Sequence, residues 1–149
     1  MKAFLDTSVL IAAFYGDHEH HAASLDLLVR YGRRNVCCAA HSLTEVYAVL
    51  TGMPGRLGVG ADTALLYITS IRERMTLISL DDQEYLQTIE EMAAKARVAG
   101  GAIYDAVIGY CARKSLADTI YSWNTKDYEG LHPAIDSRLK RPDQPSDSP

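Results

Sequence analysis

Short apolar runs separated by stretches of helical periodicity recur along the chain, and this alternation constrains the fold more than any other feature. Residues 2–5 read as a buried strand that ends at Asp6-Thr7-Ser8, a helix cap, with the first helical turns over residues 9–14. A second helix is expected over residues 18–33, where Ala22, Leu25 and Val29 recur at helical spacing and basic residues gather near the end. Residues 36–39 read as strand. Ser42 and Glu45 have the spacing of a capping box ahead of a stripe formed by Leu43, Val46, Tyr47 and Leu50. The glycines between Gly52 and Gly60 make a loop, and Ala61, Ala64, Leu65 and Ile68 open another helix. A third strand over residues 76–80 leads to a helix on which Leu86, Ile89, Ala93 and Ala96 share a face. Ala102, Asp105, Gly109 and Ala112 line one side of a helix over residues 102–114. Residues 119–122 form a last strand, and residues 124–128 a turn or short helix. Strands separated by helices imply a parallel sheet covered on both faces, with ligands gathering beyond the carboxyl ends of its strands.

The chain has 149 residues, of which 48% are hydrophobic, enough for one core, and the expected domain spans residues 1–135. Residues 136–149 are expected to form a disordered tail, because the chain from Arg138 on is polar and carries Pro142, Pro145 and Pro149. A net charge of −4 provides no global field for nucleic acid, so any RNA contact has to be local. Cys37, Cys38 and Cys111 lack metal-site spacing and fit a reducing cytosol. A start at Met1-Lys2 that runs straight into the first strand leaves no room for a secretion signal, and no apolar run is long enough to span a bilayer. The expected location is cytoplasmic.

Three carboxylates stand out from this pattern. Asp6 directly follows an apolar strand, Glu45 interrupts an apolar helix, and Asp105 lies among Tyr104, Ala106, Val107 and Ile108. Each has a structural reading of its own: Asp6 as a helix cap, Glu45 as the partner of Ser42, Asp105 as a charge at the positive end of its helix. Asp127 has one as an exposed turn residue, and Asn124 is an ordinary turn residue that can also supply a neutral oxygen. A carboxylate near a core is nevertheless costly unless it is paired or bound to metal. Several such groups converging would raise one another's pKa, a conflict that a divalent ion resolves. Oxygen-only ligands favour Mg2+ or Mn2+ over zinc, and such ions suit phosphodiester hydrolysis.

The blocks Phe4-Leu5-Asp6-Thr7-Ser8-Val9-Leu10-Ile11, Ser42-Leu43-Thr44-Glu45, Ile103-Tyr104-Asp105-Ala106 and Ser122-Trp123-Asn124-Thr125-Lys126-Asp127-Tyr128 resemble, in order and spacing, the PIN-domain family. The resemblance covers residues 1–132 and is greatest to its VapC group of toxins. It implies a three-layer α/β/α sandwich around a central parallel sheet; the family has five strands, of which four are clear in the sequence. It also implies that Asp6, Glu45 and Asp105 are catalytic metal ligands, with Asp127 or Asn124 in the fourth position and Thr7 and Ser122 as supporting hydroxyls. Ser122 stands where threonine is more usual, and Trp123 is bulkier than the resemblance leads one to expect. The implied activity is Mg2+- or Mn2+-dependent endoribonuclease action by the toxin of a VapBC-like pair that inhibits translation and growth. The implied partners are RNA, a VapB-like antitoxin and a second copy in a homodimer. The alternatives are a non-cleaving PIN-fold module that binds RNA or antitoxin, and a DNA-directed nuclease of the same fold.

Other features are ordinary on this reading. His18, His20 and His21 are expected at an exposed helix start without zinc-site spacing, as are His41 and His132 elsewhere. The glycine loop lacks the Gly-Lys-Ser or Gly-Lys-Thr ending of a phosphate loop, so ATP is not expected. Arg72, Arg74, Lys95, Arg97, Arg113, Lys114 and Lys126 are candidates for an RNA path and equally for simple surface solvation. Tyr15, Tyr47 and Tyr104 are candidates for base stacking, although Tyr47 belongs to the expected core stripe.

Overall fold

The structure, a computed structural model, describes residues 1–95 and 98–144. Ala96 of the expected helix face, Arg97 of the expected RNA path, and Pro145 and Pro149 of the expected tail lie outside the described residues. Five strands, β1 (Ala3–Leu5), β2 (Val36–Ala39), β3 (Thr76–Ile78), β4 (Thr119–Tyr121) and β5 (Leu139–Lys140), form one parallel sheet in the order β3-β2-β1-β4-β5. The helices are α1 (Thr7–Phe14), α2 (His21–Arg30), α3 (Ala40–Gly52), α4 (Ala61–Arg74), α5 (Asp82–Ala93), α6 (Ala102–Ser115) and α7 (Pro133–Asp136).

The period of two along each strand sorts the apolar residues into two cores. Ala3, Leu5, Val36, Cys38 and Tyr121 face α1 to α4, whereas Phe4, Cys37, Ala39 and Ile120 face α5 to α7. The expected three-layer sandwich follows directly, since a central strand buried on both faces needs a helical layer on each. Cys37, Cys38 and Cys111 are free and buried within these cores. Among the described residues no helix is long and apolar enough to cross a membrane.

The polar segment expected to be a disordered tail from Arg138 instead contributes the fifth strand. Ile120 pairs with Leu139 and Tyr121 with Lys140, while Arg138 donates from Nε to Ala134 O at 2.6 Å and from Nη1 to Ala117 O at 2.9 Å. A two-residue edge strand needs backbone partners rather than an apolar pattern, so its polar composition hid it.

Several helices turn a different face inward than their apolar spacing predicts. On α5 the buried residues are Thr88 and Met92, while Leu86 and Ile89 are 57% and 49% exposed. On α2 the buried residues are Ser24, Leu27 and Leu28, with Leu25 and Val29 exposed, and Leu65 of α4 and Tyr47 of α3 are exposed too. Helix α2 begins at His21, leaving residues 18–20 in the preceding turn, and α3 begins at Ala40 with Ala39 as its cap. Ser42 therefore lies inside α3 and makes no capping box with Glu45; Asp81 and Glu84 form one at the start of α5.

Helix α6 is buried from Ala106 to Ala112 and packs under α7. A Cβ on Gly109 would stand 3.1 Å from Leu131 Cδ1, 3.3 Å from Ile135 Cδ1 and 3.4 Å from Tyr128 Cδ1, all on buried side chains. Gly109→Val is expected to lower unfolding free energy by about 2 kcal/mol through overpacking, whereas Gly109→Ala regains part of its cost as helix propensity. Urea unfolding of the two variants measures this, and a Val variant as stable as wild type would contradict the packing.

Candidate active site at the carboxyl ends of the central strands

The sheet order reverses at β1, which lies between β2 and β4, so the crevice between β1 and β4 opens beyond their carboxyl ends. Asp6 is the first residue after β1, and its N–H donates to Tyr121 O at 3.1 Å. It is also the N-cap of α1. Asp6 Oδ1 accepts from Val9 N–H at 3.2 Å and from Ser8 Oγ at 2.6 Å, and Oδ2 accepts from Ser122 Oγ at 2.5 Å. Burial to 2% exposure pushes its pKa up, and the hydrogen bonds from Ser122, Ser8, Val9 and Tyr128 oppose that rise.

Glu45 projects from the second turn of α3, and the Thr7 hydroxyl reaches it from α1. Thr7 Oγ1 lies 3.1 Å from Glu45 Oε1 and 3.0 Å from the buried Ser42 Oγ, so its single proton serves one of them at a time. His41 Nε2 stands 3.9 Å from the same Glu45 oxygen. Asp105 occupies the first turn of α6, and Asp127 ends the 3-10 turn Thr125–Asp127 after β4. Asp6, Glu45, Asp105 and Asp127 all line one pocket of about 480 Å3, together with Thr7, Asn124 and Tyr128.

The electrostatics report the same convergence. Burial first, then the charges of Asp127, Glu45 and Asp6, push the Asp105 pKa up to about 6. Tyr128, buried beside Asp6, is pushed well above the usual tyrosine range by burial and by the Asp6, Asp105 and Glu45 carboxylates, which keeps its hydroxyl protonated as a donor. Of the residues named from the sequence, Asp6, Thr7, Glu45, Asp105, Asn124 and Asp127 line the pocket; the buried Ser122 does not line it but donates to Asp6, and its Oγ accepts from Asn124 N–H at 2.9 Å. Ser8, Ser42 and Tyr128 were not singled out. Their signal was weak, since Ser8 and Tyr128 only adjoin the acidic blocks and Ser42 was assigned to a cap.

Among the described residues no three Asp, Glu, His or Cys side chains close around a point as a metal cage. The available donors are carboxylate oxygens around an open pocket. Such a set fits a hard cation that keeps part of its water, and does not fit a closed structural zinc site.

A family model of the PIN domain matches residues 3–126. The chain belongs to the PIN-domain family. Ribonuclease VapC40 of Mycobacterium tuberculosis is 35% identical to this PIN domain over 108 residues, 72% of this chain and 76% of the relative. Ribonuclease VapC27 of the same species is 30% identical over 114 residues, 76% of this chain and 79% of the relative. Among solved structures, VapBC2 from Rickettsia felis bound to a promoter DNA fragment superposes with a TM-score of 0.65 at 17% identity, over 95% of this chain and 98% of that one. Mycobacterium tuberculosis VapC20, a toxin that cleaves the sarcin–ricin loop, gives 0.63 at 18% identity, over 85% of this chain and 92% of that one.

The raised Asp105 pKa makes a stability prediction for this PIN domain without added metal. A carboxyl that titrates at about 6 when folded and near 3.8 when unfolded stabilises the fold fully below the lower value and loses that contribution as pH rises through 6. Asp105→Asn is therefore expected to melt higher than wild type at pH 8 in EDTA and equally near pH 4. Discounted for the solvent screening of a half-exposed group, the gain is about 1 kcal/mol, or ~3 °C. Thermal melts at the two pH values check it, and a variant that melts lower at pH 8 contradicts the crowding.

Proposed function

We propose that this PIN domain is an endoribonuclease that acts with Mg2+ or Mn2+, and that it is the toxin of a VapBC-like pair. The observation that carries this reading is the gathering of Asp6, Glu45, Asp105 and Asp127 around one pocket, close enough that three of them raise the pKa of the fourth. The names of the relatives, ribonucleases VapC40 and VapC27, support RNA as the substrate, and the antitoxin complex among the structural neighbours supports a VapB-like partner.

Asp6, Glu45 and Asp105 would hold the cation, with Asp127 or Asn124 in the fourth position. Once bound, the cation supplies a lowered pKa for an attacking water and positive charge at the phosphate. The chain's own residues prepare the place. Ser8, Val9, Ser122 and Tyr128 fix the Asp6 carboxylate, and the Thr7 hydroxyl ties Glu45 of α3 to α1, so the acidic groups need little reorganisation. Without a cation, burial and the neighbouring carboxylates keep Asp105 protonated at mildly acidic pH, and a bound cation would favour its ionised form. The exposed Leu86 and Ile89 of α5 and Leu65 and Leu66 of α4 are apolar faces for an antitoxin or a second copy to cover.

Asp6→Asn and Asp105→Asn are each expected to reduce RNA cutting by at least about 100-fold, beyond the cost of losing a group that only orients a ligand. Cells expressing wild type should stop growing while cells expressing either variant grow normally; harmless growth of all three would sink the proposal. EDTA should abolish cutting, and Mg2+ or Mn2+ should restore it on RNA but not on DNA. RNA binding without restored cutting would instead identify a non-cleaving module, and cutting of DNA a DNA-directed nuclease.

Acidification should weaken cutting, because protons compete with the cation for the same oxygens. The decline is expected to begin near pH 6, where Asp105 takes its proton, and to move to lower pH as Mg2+ is raised. A profile that stays flat down to about pH 4, the reference carboxylate range, would rule out these ligands.

A further inference from the structure

Part of the acidic pocket is lined by residues that the nuclease reading does not use. His18, Glu19 and His20 of the turn before α2, together with Trp123, line the same pocket as the four carboxylates. The imidazole of His20 lies parallel to the indole of Trp123, with ring centres 3.7 Å apart and planes within 7°. The Arg141 guanidinium, just beyond β5, lies 5.2 Å from the centre of the indole. Planar groups thus pack together at the separation at which aromatic rings and bases stack.

This stack is held in register with the carboxylates. Trp123 Nε1–H donates to Ser24 Oγ at 2.8 Å, and Trp123 N–H donates to Ser8 Oγ at 3.0 Å. The same Ser8 hydroxyl donates to Asp6 Oδ1 at 2.6 Å, so one hydroxyl fixes both the indole and the most buried carboxylate. His20 N–H donates to His18 Nδ1 at 3.0 Å, which pins the turn that carries the imidazole. One face of His20 is taken by Trp123, and the side chain retains 27% exposure at a pocket of about 480 Å3, large enough for a nucleotide.

We propose that His20, backed by Trp123 and Arg141, is a nucleobase-stacking platform that seats the base next to the scissile phosphate of single-stranded RNA. The proposal rests on the ribonuclease reading for its substrate. Sequence-specific recognition of RNA works mainly through unstacked bases laid on aromatic side chains or guanidinium planes, and His20 presents such an aromatic plane in the pocket that holds the carboxylates, with the indole and the guanidinium stacked behind it. It is a specificity determinant: a purine has a larger and more polarisable face than a pyrimidine and stacks more strongly, so the platform favours adenine over uracil at that position.

Trp123 is the only tryptophan in the chain, so its emission reports on the platform directly. The full chain is titrated with 2′-O-methyl RNA hexamers, with calcium in place of magnesium to neutralise the carboxylates. The oligoadenylate hexamer is expected to change the emission saturably and to bind about tenfold more tightly than a hexamer of abasic units, the effect of one stacked base, with oligouridylate between them. His20→Ala should remove the preference for adenine, and His20→Phe, which restores a stacking ring, should return it. Equal binding of the adenylate and abasic hexamers by wild type overturns the proposal, as does a His20→Ala variant that keeps the full preference. A wild-type chain that shows the base-dependent emission change yet cuts no RNA with Mg2+ or Mn2+ would defeat the ribonuclease reading while leaving the platform in place as a base-binding site.

Discussion

Asp6 is an acid that has almost no access to water, and the architecture around the pocket is arranged to make that tolerable. An isolated ionised carboxylate at such depth is prohibitive, so it must either take up a proton or collect donors. It collects them from four places at once: the hydroxyl of Ser8 and the amide of Val9 in α1, Ser122 beyond β4, and Tyr128 after the 3-10 turn. The bond from Ser122 alone closes a separation of 116 residues along the chain. The carboxylate thus joins the first strand, the first helix and the last turn of the domain. Its role as a helix cap and its place in the acidic pocket are the same fact, since the cap geometry places the first residue after the central strand at the crevice where the sheet order reverses.

The two-core sheet makes this crevice rigid. Ala3, Phe4 and Leu5 are wholly buried, with alternate side chains committed to opposite helical layers, so β1 cannot shift register by one residue without moving every one of them into the core packed for its neighbour. Asp105 arrives on the other layer through α6, whose middle is buried on all sides and which Gly109 allows to sit close under Tyr128, Leu131 and Ile135. Tyr128 is therefore both a packing contact of α6 and a donor to Asp6, which couples the depth of the helix to the geometry of the carboxylates.

The features legible in the sequence were those in which local pattern and tertiary role agree. The first strand and its acidic end, the position of Asp105 near the start of a helix, and the parallel layered class all follow from apolar runs and breaks. Ser42 was misread because Ser and Glu three residues apart satisfy a capping rule, while the helix starts two residues earlier and turns both side chains towards Thr7. Strand β5 was missed because backbone pairing at a sheet edge leaves no trace in hydrophobicity. The apolar stripes of α2 and α5 leave open which face turns inward, because a stripe facing solvent, or facing another chain, has the same period as one facing the sheet. Where the sequence predicts an exposed helix start, the structure has a turn whose His20 stacks on Trp123, a contact across more than a hundred residues that no local pattern encodes.

Charge sets a further constraint on how such a pocket can meet a polyanion. The chain as a whole carries −4, and the pocket concentrates five acids, Glu19 among them, so RNA is repelled both at long range and at the point of reaction unless cations intervene. A divalent ion corrects the field only within a few ångströms, because beyond a Debye length the solvent screens it. Holding the chain on either side of the reacting phosphate then falls to interactions that do not depend on net charge. Stacking is such an interaction, and the parallel imidazole and indole supply it within the same cavity. An acidic nuclease pocket with an aromatic wall can take hold of the bases of RNA while the cation handles its phosphate.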